Sequence, residues 1–277
     1  VPEGEALPDG TFRYAAVVEY DGSEYCGWQR QPHCEGVQSV VERALSAVAN
    51  EPVTVACAGR TDTGVHATNQ VIHFDSTAIR RPRNWVLGSN ANLPPGVRLH
   101  WAGQMTADFH ARFSALTRTY RYLVLNSSTQ PALLRKGLTW ERSSLSVTAM
   151  KQAVSPLVGR HDFSAFRAAG CQSATPWRKI HYFDIYRVND FVVFEICANA
   201  FLLHMVRNIM GTLLVIGREE QDVNWLGQLL VDADRTKAAM TAPASGLYLV
   251  GVAYPDKYNL PTFKPGPSFI GCDWRGS

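Results

Sequence analysis

The 277-residue chain has no apolar run long enough to span a membrane, and its charges nearly balance, at a net +3. A spanning helix needs about 20 consecutive apolar residues. The first residues, Val1-Pro2-Glu3-Gly4-Glu5, lack the basic stretch followed by an apolar one that marks a secretory leader, so no leader is expected. Six cysteines are scattered without any Cys-x-x-Cys pair, which in a chain of this length argues for reduced thiols rather than disulfides or a zinc site. The expected location is therefore cytoplasmic. Gly-x-x-x-x-Gly-Lys, Gly-x-Gly-x-x-Gly and Gly-x-Ser-x-Gly are all absent, which sets aside phosphate-loop, dinucleotide-binding and nucleophile-elbow chemistry. What is present is the composition of a soluble globular protein, 46% hydrophobic and 18% charged, with room for one or two domains.

The densest chemistry lies in Gly59-Arg60-Thr61-Asp62-Thr63-Gly64-Val65-His66-Ala67, just after the apolar run at 53–58. A carboxylate past a strand end, with an arginine two residues before it and glycines on either side, is one way to build a nucleophile or base. It is equally the pattern of a structural aspartate that accepts backbone N–H groups in a turn. Asp62, His66 and His73 could be read as metal ligands, but their spacing along a loop and strand matches no common site.

Basic residues interleave with aromatics in two places: Arg112, Arg118 and Arg121 with Phe113, Tyr120 and Tyr122, and Arg160, Arg167, Arg178 and Lys179 with Phe163, Phe166 and Trp177. Such mixtures suit phosphate contact and base stacking, and they also occur on any half-buried sheet. Arg207 sits in an otherwise apolar helix pattern, Phe201 to Met210. A cation there must snorkel or find a partner, for which Asp62 is a candidate.

The pattern predicts strands at 11–20, 53–58, 70–74 and 97–105, with helices beginning near Val37 and spanning 83–92. The second half predicts a long strand at about 112–126, a helix capped by Ser146, a hairpin turning at Asn189-Asp190, helices at about 201–216 and 222–232, and a strand at 247–254. Each half thus reads β-α-β-β-α-β. The expected fold is α+β: two ferredoxin-like lobes with antiparallel sheets side by side. The expected divisions are an N-terminal lobe at 11–111 carrying the Asp62 loop, a C-terminal lobe at 112–256 and an irregular tail at 257–277.

Gly59 to Ala67, Tyr25-x-Gly27-Trp28-Gln29, Phe109-His110-Ala111-Arg112-Phe113, Arg118-x-Tyr120-Arg121-Tyr122, the helix from Phe201 to Gly211 and Ala242-Pro243-x-x-Gly246-Leu247-Tyr248-Leu249 occur in that set together. The set resembles TruA-type tRNA pseudouridine synthases over nearly the whole chain, from about residue 11 to 260. The resemblance implies a homodimeric isomerase, with a central RNA-binding cleft between the lobes, that converts uridine to pseudouridine at positions 38–40 of the tRNA anticodon arm, without cofactor or metal. It implies that Asp62 is the catalytic aspartate, that Tyr120 packs on the target base, that Arg60 helps flip the nucleotide, that Arg207 is the basic residue beside the aspartate and that Leu247 contacts substrate. Arg80, the segment Phe109, His110, Ala111, Arg112 and Phe113, and Gly170, Cys171 and Gln172 are similar to tRNA-contacting stretches. Thr63, Cys26 and Ala244-Ser245 depart from the family pattern without removing a charged or nucleophilic atom. The competing classes are a noncatalytic RNA-binding module on the same scaffold and a phosphate-recognising hydrolase.

Overall fold

The structure is a computed structural model that describes residues 7–270. In chain order its elements are β1 (Phe12–Tyr20), α1 (Val37–Ala49), β2 (Val55–Cys57), β3 (His66–Ser76), α2 (Pro82–Asn92), β4 (Val97–Met105), β5 (Thr117–Asn126), β6 (Thr139–Glu141), α3 (Val147–Val154), β7 (Gly159–Asp162), β8 (Trp177–Val188), β9 (Phe191–Ala198), α4 (Met205–Gly217), α5 (Trp225–Asp232) and β10 (Leu247–Ala253). Among the described residues, those up to Leu116 and those from Tyr248 onward make one compact unit, and Thr117–Leu247 make the other. The last strand, read from sequence as part of the second half, thus runs almost wholly in the first unit.

In the first unit β1 lies between β4 and β3, antiparallel to both, with Arg13 opposite Met105 and Phe12 opposite Ser76. The far edge of β3 carries β2 antiparallel at Phe74 to Ile72 and β10 parallel at His66 and Ala67. This pairing makes β3 eleven residues long, where the apolar run alone predicts only its middle. Alternation along β1 divides the core. Tyr14 faces the helix side, stacked on Phe74 at 5.5 Å and against Trp85 of α2 at 5.2 Å. Ala15 and Val17 face the other side, with Val71, Phe109 and Ala111. Tyr254 packs there too, together with Tyr258, Leu260 and Phe263 of the expected tail, so this part of the tail covers the sheet. Residues 271–277 lie outside the described residues.

One expectation about thiols fails. Cys26 and Cys34 are joined as a disulfide, with Cα atoms 6.1 Å apart. The loop doubles back because Cys26 N–H donates to Glu35 O at 3.0 Å, a return that residue spacing cannot announce. Cys57, Cys171 and Cys197 are free thiols.

In the second unit β5 runs antiparallel to β9, β9 to β8 and β8 to β7, while β6 lies parallel to the end of β5. The β8–β9 hairpin turns where predicted, with Asn189 at φ 52. Ser146 caps α3 through its side chain, which accepts from Ala149 N–H. Several boundaries move, two of them by four residues or more. Residues 112–116 are irregular rather than strand, and α4 starts only after His204, which takes a left-handed φ of 58. Along α4 the buried Met205, Ile209, Leu213 and Ile216 recur at helical spacing. Gly211 is needed because a Cβ there would stand 1.9 Å from Met240 O.

Candidate active site

The Asp62 loop joins β2 to β3 and is fastened from several sides. Val65 N–H donates to Asp62 O at 3.1 Å, closing the turn, and Trp28 N–H donates to Thr61 O at 3.0 Å. The Thr61 hydroxyl meets Tyr20 Oη at 2.8 Å. Gly27, at φ +83, has to be glycine: a Cβ would come within 2.6 Å of Thr61 O and 3.0 Å of the Asp62 carbonyl carbon. With Thr61 buried as the anchor, Asp62 is left half-buried and Arg60 exposed. A carboxylate on a loop held this firmly keeps one position while remaining open to a ligand.

Next in the chain, His66 is buried against the ring of Tyr248, with centroids 4.6 Å apart. Its Nδ1 accepts from Gly22 N–H at 3.1 Å and lies 3.1 Å from Asp21 Oδ1. Burial raises the Tyr248 phenol, with Asp21 adding to the effect. His73 sits farther along β3, where its Nδ1 accepts Ala111 N–H at 3.1 Å. Burial first, and then His110 and Arg13, push His73 down to about 4. Both histidines are thus occupied in backbone hydrogen bonds. Among the described residues no group of three or more His, Cys, Asp or Glu could hold a metal ion.

Residues 109–113 divide by burial. Phe109 and Ala111 are fully buried in the core and present no side chain to a ligand, which narrows the contact expected of this stretch. His110 is half-buried, and its Nδ1 accepts the N–H groups of Arg112 and Phe113 at 3.1 and 3.2 Å. Arg112 and Phe113 are exposed, with the guanidinium 5.6 Å from the ring centre. Burial lifts the Cys57 thiol to about 12, and the charges of Arg60 and Arg112 both oppose that shift. Those two charges therefore both reach Cys57, at the end of β2. Arg80 lies beyond the opposite end of β3, roughly 30 Å along the strand from the Asp62 loop.

In the second unit Arg207 and Leu247 meet at the segment 242–247, which the strand carrying Tyr120 holds through Tyr122 and Leu123. Arg207 Nε donates to Ala242 O at 2.9 Å, and Ala242 N–H donates back to Arg207 O at 3.0 Å. The cation expected to need a partner thus has a carbonyl acceptor on this segment. Tyr122 Oη donates to Pro243 O at 3.0 Å, and Leu123 N–H to Gly246 O at 2.8 Å. Leu247 closes the segment and is buried. Tyr120, two residues before Tyr122 on the same strand face, is 8% exposed and meets Phe201 edge-on at 5.1 Å. Gly170 and Gln172 are exposed, while Cys171 Sγ accepts from Leu203 N–H at 3.4 Å. Arg167 holds that loop through the carbonyls of Cys171 and Ser173, both at 2.8 Å.

Several arginines read as phosphate contacts are committed elsewhere. Arg121 is buried in an ion pair with Glu195, Arg118 donates to Asn199 O, and Arg178 donates to the carbonyls of Thr175 and Trp177. Sequence reasoning gave no anchoring role to Thr61 within the loop and missed the buried Tyr20 and Gln70 behind it. The available signal was Gln70 itself, an amide inside an apolar strand.

The family described as tRNA pseudouridine synthase matches residues 16–114 and 153–255. The chain is 51% identical over 259 residues to tRNA pseudouridine synthase A of Escherichia coli (strain K12), covering 94% of this chain and 96% of that one. The same identity and coverage hold for tRNA pseudouridine synthase A of Shigella boydii serotype 4 (strain Sb227). A solved Cbf5-Nop10-Gar1 complex aligns with 91% of this chain and 56% of its own at 12% identity, with a TM-score of 0.38 that carries no structural argument.

Proposed function

The chain belongs to the tRNA pseudouridine synthase family, whose members are isomerases, and we propose that it converts uridine to pseudouridine at positions 38, 39 and 40 of the tRNA anticodon arm, with Asp62 as the catalytic carboxylate. The observation that carries this reading is a half-buried Asp62 on a loop fixed through Gly27, Trp28 and Tyr20. The target uridine must leave the stack, its bond from N1 to the ribose must break, and the ring must turn and rejoin through C5. An ionised carboxylate can assist as a nucleophile toward C6 or C1′, or as a base toward the 2′ hydrogen. No cofactor is needed for this isomerisation.

Arg60, exposed two residues before the carboxylate, is assigned to drawing the nucleotide out and to countering charge beside Asp62. Tyr120 is assigned to packing on the reacting base, and Arg207 and Leu247 to the substrate pocket. Arg112 and Phe113 have the exposure and chemistry for phosphate contact and stacking. Arg80, His110, Gly170, Cys171 and Gln172 are assigned to peripheral RNA contact. We read each unit as a ferredoxin-like lobe. The strand order β4-β1-β3-β2 with α1 and α2 as crossovers supports this in the first unit, and the succession β5, α3, β8, β9, α4 in the second. The working form is taken as a cytoplasmic homodimer.

The direct test is incubation of the protein with unmodified tRNA in the presence of a chelator, followed by mapping of pseudouridine. Product at positions 38–40 supports the reading. Product confined to another arm of the tRNA, or none, rejects it.

A further inference from the structure

Behind the Asp62 loop lies a buried polar chain to which none of the proposed chemistry assigns a role. Gln70 is fully buried within β3 beside Val71 and Ile72, where an amide is tolerated only if its groups are paired. Its Nε2 donates to Gly59 O at 2.6 Å and to Tyr20 Oη at 3.4 Å, while its Oε1 accepts from Gly59 N–H at 3.4 Å. Turning the amide over would set Oε1 against the Gly59 carbonyl, so the orientation is fixed by its partners. Tyr20 Oη accepts from Gln70 and shares a hydrogen bond with Thr61 Oγ1 at 2.8 Å, in which either hydroxyl can donate. Gln70, Tyr20 and Thr61 are thus joined in one continuous buried hydrogen-bond chain.

This chain grips the backbone of Gly59 and the side chain of Thr61. These residues flank Arg60, and Thr61 directly precedes Asp62. Trp28 N–H holds Thr61 from the carbonyl side at 3.0 Å. We propose that Gln70 and Tyr20 are positioning residues for pseudouridine formation, setting where the Asp62 carboxylate stands by fixing Gly59 and Thr61. The proposal rests on the reading of Asp62 as the catalytic group. Neither side chain meets substrate: Tyr20 is 2% exposed and Gln70 is 0% exposed. Their effect must fall on turnover rather than on tRNA binding.

Tyr20→Phe removes one hydroxyl and keeps the ring against Trp28. It is expected to lower kcat about 10-fold, a shift of one well-placed hydrogen bond at the reacting group, with tRNA Kd within about twofold and Tm within a few degrees. Thr61→Val is expected to lose a similar factor, and Thr61→Ser, which keeps the hydroxyl, to recover most of it. The double variant Tyr20→Phe/Thr61→Val should fall no further than either single one, because both cut the same bond. Gln70→Met, which keeps the length but loses the amide's donors and acceptor, should fall at least as far in kcat. Wild-type kcat in Tyr20→Phe, or a loss shared equally by Kd and Tm, overturns the proposal. Asp62→Asn run alongside separates the two claims. Its full activity would sink the reading of Asp62, whereas an inactive Asp62→Asn with a fully active Tyr20→Phe would sink the positioning role alone.

Discussion

Arg121 and Glu195 stand directly opposite each other on β5 and β9 and form an ion pair at 2.7 Å, with side chains only 3% and 1% exposed. Tyr182 Oη donates to the second carboxylate oxygen at 2.9 Å. Burial, together with Glu195, pushes that phenol up to about 12. An arginine in a run of basic and aromatic residues is therefore spent on the interior of the second unit.

Breaking this pair from one side leaves a buried charge uncompensated. Glu195→Ala or Arg121→Ala is expected to cost about 3–5 kcal/mol in urea unfolding. Replacing both partners by apolar residues of similar volume should recover most of that loss. A single variant that loses less than about 1 kcal/mol would show that the pair is not desolvated as described.

Gly27 tests the seating of the Trp28 loop on the Asp62 loop. Alanine there meets both a left-handed backbone at φ +83 and a Cβ 2.6 Å from Thr61 O. Gly27→Ala is expected to lose about 1–3 kcal/mol of stability, and more turnover than that loss alone explains. Gly10, also left-handed at φ +77 but with nothing within 4 Å of its Cβ position, is the control that isolates backbone strain.

Within residues 109–113 two opposite outcomes are expected. Phe109→Ala removes a fully buried ring packed on Tyr254 and Tyr258 and should cost about 3–5 kcal/mol of stability. Arg112→Ala alters an exposed cation and should leave stability nearly unchanged. It should weaken tRNA binding and reduce the salt slope of log Kd by about one phosphate contact. Parallel filter-binding and melting measurements distinguish the two.

His73 makes stability depend on pH in a set direction. Its folded value is lowered to about 4 from 6.5, so the unfolded chain binds the proton more readily. The stability it contributes is fully present above about pH 6.5 and is lost as pH falls toward 4. Between pH 7 and 4.5 the loss from this group is about 2–3 kcal/mol. His110, also lowered by burial and by Arg13 and Arg112, acts in the same sense. Urea unfolding of His73→Gln across this range should show a shallower decline. An equally steep one would assign the acid sensitivity elsewhere.

Periodicity carried much of the architecture, because regular spacing records which face is buried. The Asn189 hairpin, the Ser146 cap and the limits of β4 all follow from local pattern. It could not reveal pairings that depend on distant partners. The parallel match of Tyr248 and Leu249 with His66 and Ala67 moves a strand from one unit to the other, and neither segment encodes it locally. The predicted strand at about 112–126 included Arg121 without putting it in the interior, since only the facing Glu195 makes burial affordable. Asp62 was legible through its motif. The residues holding its loop were not, because Tyr20 and Trp28 lie far from it in sequence and Gln70 sits on the following strand, so that all three meet it only through hydrogen bonds set by the fold.

The most direct test is Asp62→Asn, which keeps size and shape and removes the carboxylate. Incubated with unmodified tRNA and assayed by mapping pseudouridine, the variant is expected to form no product at positions 38–40 while binding tRNA with wild-type Kd. Product formed at the normal rate would contradict Asp62 as the catalytic group.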